Sequence, residues 1–107
     1  MTISTTTLKN AAKAIGYDLW SDPDGSHYLV DYDGVKLKRW DPEHSSADSF
    51  ELMVSLALDV RCSKGWAVVE INEAHRKCIK ASDVGGDIFL ATRLAILKAA
   101  NHIGENL

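Results

Sequence analysis

Asp87-Ile-Phe-Leu-Ala-Thr-Arg-Leu-Ala-Ile-Leu-Lys-Ala-Ala-Asn-His-Ile-Gly104 reads as a helix with both ends marked. Asp87 follows the Gly85-Gly86 pair and is suited to accept hydrogen bonds from the free amides of a first turn. Gly104 is suited to the left-handed conformation that closes a last turn. At a helical step of about 100° per residue, Ile88, Phe89, Ala95, Ile96, Ala99, Ala100 and Ile103 form one broad apolar face. Leu90, Leu94 and Leu97 form a second stripe on roughly the opposite side. Such a helix is either deeply buried or keeps one stripe for another chain, so the three leucines are a candidate oligomer stripe, with a homodimer as the simplest product.

Working outward, the segment before this helix is strand-like. Trp66–Asn72 and Arg76–Ala81 alternate as two strands of a hairpin, joined at Glu73-Ala74, a poor turn sequence. Further back, Phe50, Met53, Val54, Ala57 and Leu58 predict the buried face of a second helix started by Ser45, Ser46 or Asp48, with Lys64-Gly65 at its far end. His27–Tyr32 and Val35–Trp40 flank Asp33-Gly34, the sequence of a type I′ hairpin turn. Pairing outward sets Tyr32 against Val35, Val30 against Leu37 and Tyr28 against Arg39 on the expected core face. Asp31 against Lys36, Leu29 against Lys38 and His27 against Trp40 fall on the other face, expected to be solvated or only partly covered. Ser4–Thr7 starts a first helix, Leu8, Ala11, Ala12 and Ile15 line it, and Gly16 ends it. The predicted order is α-ββ-α-ββ-α, an α+β fold with a four-stranded antiparallel sheet packed by helices as an α/β/α sandwich.

At 107 residues, 1–107 is expected to be a single domain. A hydrophobic fraction of 46% is that of a globular chain. The net charge of −3 argues against general affinity for phosphate backbones. No apolar run approaches the ~20 residues of a membrane span, and no charged-then-apolar leader is present. Cys62 and Cys78 are expected to be reduced and intracellular.

The sequence offers four chemistries. Zinc at His75 and Cys78 with Cys62 and His44 lacks a paired Cys-x-x-Cys, so no metal and no cofactor is expected. Counted from Asp22, a calcium loop places His27 and Asp33 where Gly and Glu are needed. There is no Gly-x-Ser-x-Gly elbow, and Asp87 would repel an anion at Gly85-Gly86. A basic strip of Lys36, Lys38 and Arg39 with Trp40 shares its hairpin with Asp31 and Asp33, so direct nucleic-acid binding is not expected. What remains is a protein contact. Asp41-Pro42 forces the strand before it into a loop, which nominates Arg39, Trp40, Glu43 and His44 as an exposed contact region.

Two stretches resemble a known family. One is Trp40-Asp41-Pro42 with the helix around Phe50–Leu58. The other is Ala91-Thr92-Arg93-Leu94-Ala95-Ile96 with Ala99-Ala100 and Ile103-Gly104. Both are similar to segments of the small phage and prophage ABA-sandwich domain family, related to the NinX-like lambdoid proteins. Leu94 replaces a usual second Arg, and Ile88 stands where Pro is common. The resemblance implies a layered sandwich and a phage-encoded accessory protein in the bacterial cytoplasm. It carries over no catalytic residues. The expected function is non-enzymatic binding of a host protein, in its sharpest form a nucleic-acid-binding defence complex such as one of CRISPR interference. The alternative is a sequestering oligomer for a small ligand or nucleotide.

Overall fold

The computed structural model describes residues 3–31 and 33–107. Ser4 caps the first helix, α1 (Thr5–Ala14), its hydroxyl accepting from the Thr7 amide, and Gly16 follows the helix with φ +86°. Three short strands come next: β1 (Asp18–Ser21), β2 (His27–Val30) and β3 (Lys36–Arg39). Ser45 caps α2 (Ser46–Ser55), and β4 (Asp59–Ser63), β5 (Trp66–Asn72) and β6 (His75–Lys80) follow. A 3₁₀ turn (Ala81–Val84) leads into α3 (Ile88–Glu105). Asp87 caps α3 as expected, accepting from the Phe89 and Leu90 amides at 3.0 and 3.1 Å.

The order is therefore α-βββ-α-βββ-α, with two separate three-stranded antiparallel sheets, β1-β2-β3 and β4-β5-β6. The single four-stranded sheet expected from sequence is corrected. Each sheet has a third strand that alternation could not reveal. Asp18-Leu-Trp-Ser and Asp59-Val-Arg-Cys-Ser are short and mostly polar, and each packs one or two apolar side chains only. The second helix ends at Ser55, not near Lys64-Gly65, because the chain turns at Ala57, whose φ is +51°.

The turns differ from expectation for local reasons. Lys64 and Gly65 both have positive φ and join Ser63 to Trp66, so the type I′ geometry sits between β4 and β5. At Asp33-Gly34, Gly34 is left-handed, with φ +81°. There the Asp31 amide donates to Val35, and the Asp31 carboxylate accepts from the Asp33 and Val35 amides. The expected pairings of Tyr28 with Arg39 and Leu29 with Lys38 hold, but Val30 meets Lys36 across a bulge and not Leu37. The expected Tyr32–Val35 pair lies outside the described residues.

The faces of the first hairpin are reversed except at Val30, which is buried as expected. Leu29 and Trp40 are fully buried, whereas Val35, Leu37 and Arg39 are exposed. Leu19 on β1 joins Leu29 from the neighbouring strand and makes this the core face. Sheet two buries Ala67, Val69 and Ile79 against α3. The other sides of α3 meet α1 and α2, so both of its stripes are enclosed except at Phe89, which stays exposed. Leu94 and Leu97 are in the core, and Leu90 is packed against it. The candidate oligomer stripe Leu90, Leu94, Leu97 thus faces this chain's own interior.

Gly104 is corrected as well. It does not close the helix in a left-handed conformation. It is buried within α3, where a Cβ would collide with the Asn10 carbonyl of α1. Three residues earlier, Asn101 Oδ1 accepts from Asn10 Nδ2 at 3.0 Å.

Candidate functional site

The loop after β3 is held from several sides. The Asp41 amide donates to Asp48 Oδ2 at 2.8 Å, and the Asp41 carbonyl accepts from the Ser45 amide at 2.7 Å. Pro42 is buried, and Arg93 Nε of α3 donates to the Glu43 carbonyl at 2.7 Å. His44 Nδ1 lies 3.1 Å from both Asp41 carboxylate oxygens, and its Nε2 lies 3.7 Å from Glu43 Oε2. Arg39, Trp40, Glu43 and His44 do come together: all four line one cavity of about 150 Å³ with His27. Their roles divide, however. Arg39 and His44 are exposed and Glu43 is partly so, but Trp40 is 0% exposed. Trp40 is the loop's anchor in the core and is corrected as an exposed contact. Its indole Nε1 is buried with no hydrogen-bond partner among the described residues.

The strand leading into this loop is open. Every residue of β3 is exposed, and β3 pairs with β2 alone among the described residues. Leu37 is 49% exposed, beside an exposed Val35. On the outer face Trp20, Tyr28 and Arg39 stand side by side across the three strands. Lys36 Nζ lies 5.2 Å from the Trp20 ring centroid, 4.8 Å from that of Tyr28 and 3.6 Å from Asp22 Oδ1. The aromatic faces thus carry a cation of their own chain. Lys38 points the other way, 2.8 Å from Glu51 and 3.6 Å from Asp48. Its hydrogen bond to Glu51 raises its pKa above the usual lysine value.

A second surface was not anticipated. Between α2, β4 and the first turns of α3 lies an open groove of about 410 Å³, walled by Phe50, Met53, Val60, Ile88, Phe89 and Ile96. Phe50 and Phe89 are 60% and 73% exposed and form its rims. The sequence placed both on buried faces, and this is corrected. In α2 the buried residues are Ser49 and Leu52, so the helix presents Phe50 and Val54 outward. The signal was available: Phe50, Leu52, Met53 and Val54 lie too close in sequence to share one face of a ten-residue helix.

The candidate zinc residues His75, Cys78, Cys62 and His44 form no metal-binding group among the described residues. Cys62 of β4 meets Thr92 Oγ1 at 3.2 Å, Cys78 is exposed on β6, and His75 rests against the His102 ring at 4.6 Å. Both cysteines are free, and no group of three or more metal-ligating side chains forms among the described residues. None of their helices is long and apolar enough to cross a membrane. Compared with models of protein families, with curated proteins and with solved structures, the chain matches none.

Proposed function

We propose that this chain is a phage- or prophage-encoded accessory protein that acts without catalysis, by gripping a host protein along β3 and the Arg39–His44 loop. The observation that carries the reading is the open edge of β3, exposed at all four residues and continuous with a tethered loop. An unpaired edge is a template for a partner strand, and its main-chain groups supply affinity while Leu37 and Val35 supply apolar contact. The strand end and loop add a guanidinium, a carboxylate and an imidazole on a tethered backbone, which suits specificity more than affinity. The phage assignment rests on the Ala-Thr-Arg helix resemblance and on the Trp40-Asp41-Pro42 element.

A defence complex is the sharpest target by the phage resemblance, and at the gripping edge itself the exposed, cationic Arg39 calls for an acidic patch on that target. The test is twofold. Tagged protein is used to recover partners from a bacterial host lysate, alongside Leu37→Asp and Arg39→Glu variants. The wild type is expected to retain a stoichiometric protein that both variants lose. The same three proteins are expressed in cells whose CRISPR system targets an infecting phage, and only the wild type is expected to restore plaques. Capture that is indifferent to both substitutions would remove β3 from the proposal.

A further inference from the structure

We propose that the groove between α2, β4 and α3 is a binding site for a medium-chain organic acid, its hydrocarbon body between Phe50 and Phe89 and its carboxylate at Arg93. Three observations meet here. First, a groove of about 410 Å³ lies in the size range of small-molecule sites, and its walls are mostly apolar side chains. At interior packing density that space suits a body on the order of ten to twenty non-hydrogen atoms.

Second, the lining contains one charged side chain, Arg93, and no carboxylate. Arg93 Nε is engaged by the Glu43 carbonyl, which fixes the guanidinium plane. No carboxylate lies within ion-pair distance of it among the described residues. A neutral backbone oxygen leaves the cation uncompensated, and a guanidinium with a fixed plane suits a carboxylate bidentately.

Third, one buried polar group of the wall is unmatched, while Ser46, also in the wall, is exposed to water. Thr92 donates to the Ile88 carbonyl, and Cys62 meets the Thr92 hydroxyl. Ser49 is 2% exposed, lines the groove, and its Oγ has no partner among the described residues. A buried hydroxyl without a partner is unfavourable by roughly 1–3 kcal/mol, and because this Oγ is sealed from solvent an acceptor oxygen reaches it only where the wall side chains give way on binding. An apolar chain ending in a carboxylate answers all three features. A neutral or cationic chain answers only the first. This site shares no lining residue with β3 or the Arg39–His44 loop, but Arg93 tethers that loop through Glu43, so the two proposals are separated by reading decanoate binding and partner recovery on the wild type.

The test is calorimetric titration with decanoate below its micelle-forming concentration, beside decanol and decyltrimethylammonium. Decanoate is expected to bind at least about tenfold more tightly than either match, the difference made by one charge-assisted contact. Arg93→Gln is expected to remove that preference and Arg93→Lys to keep most of it. Ser49→Ala is expected to weaken decanoate by about threefold to tenfold. Circular dichroism of each variant establishes that it is folded. Amide shifts on adding decanoate to the wild type are read independently and are expected in 46–53 and 88–96. Absence of binding, equal affinity for the three chains, a preference that survives Arg93→Gln in folded protein, or shifts centred elsewhere would each overturn the proposal.

Discussion

A methyl group at position 104 has no room, because the Asn10 carbonyl already occupies the space where its carbon would be. Glycine inside a helix is normally less favourable than alanine by about 1 kcal/mol. Here it permits α1 and α3 to touch backbone to backbone. Gly104→Ala gains helix propensity but must push the helices apart, and overpacking of this kind costs about 1–3 kcal/mol or more. The melting temperature is expected to fall by roughly 5–15 °C, since 1 kcal/mol corresponds to about 4–8 °C in a domain of this size. A higher melting temperature would refute the close approach. Sequence could nominate Gly104 but not its role. A helix stop and a helix–helix contact ask for the same residue, and only the neighbour distinguishes them. Tryptophan gave the same difficulty. Trp40, Trp20 and Trp66 are equivalent in composition, yet the first is sealed and the others are open. With Trp20→Phe and Trp66→Phe combined, the remaining emission is expected to be blue-shifted and resistant to acrylamide. Red-shifted, readily quenched emission would place Trp40 at the surface.

Among the elements, α2 and β3 are joined across a solvent-facing seam by Lys38, Glu51 and Asp48. The Lys38 pKa is raised chiefly by its hydrogen bond to Glu51. A raised lysine pKa means that the folded state holds the proton more tightly than the unfolded one. The contribution is therefore full below the unfolded value near 10.4 and is lost as pH rises through the folded value. Both side chains are over a third exposed, so the seam is worth only about 0.2–1 kcal/mol. Lys38→Met is expected to lower the urea midpoint slightly at pH 7, with the gap to wild type closing above about pH 10.5. A gap that persists unchanged at pH 11 would assign the loss to packing. The hairpin itself shows what alternation conveys. The pairing of Tyr28 with Arg39 and Leu29 with Lys38 was legible from the distance to Asp33-Gly34. Which face turned inward was not, because both faces carry apolar residues: Tyr28, Val30 and Leu37 on one, Leu29 and Trp40 on the other. The choice was made by Leu19 on β1, a strand too short and polar to announce itself. The groove was hidden by the same ambiguity in α2.

At the scale of the molecule, a helix followed by a three-stranded meander occurs twice, and α3 completes both. Neither unit closes a core alone. The buried residues form one cluster that runs from Leu8 and Ala12 in α1 through Leu19, Leu29 and Trp40 to Val69, Ile79 and the length of α3. The two stripes on α3 were the sequence's plainest statement of this, since a helix apolar on opposite sides must be enclosed on both. What sequence left open was whether the enclosing partner was this chain or another, and Leu94 and Leu97 are enclosed by this one. The consequence is cooperative. Leu97→Ala removes a fully buried side chain and should cost about 2–5 kcal/mol, a large share of the roughly 5–15 kcal/mol typical of a domain. Because the cluster is continuous, that loss should be felt equally in both sheets. Urea unfolding is read at Trp40 for the first sheet, at Trp66 for the second and by far-ultraviolet circular dichroism for the helices. All three midpoints are expected to coincide in the wild type and to shift together in Leu97→Ala. Melting of the first sheet at its own midpoint, unmoved by Leu97→Ala, would instead make it a separately folding unit outside the core that α3 organises.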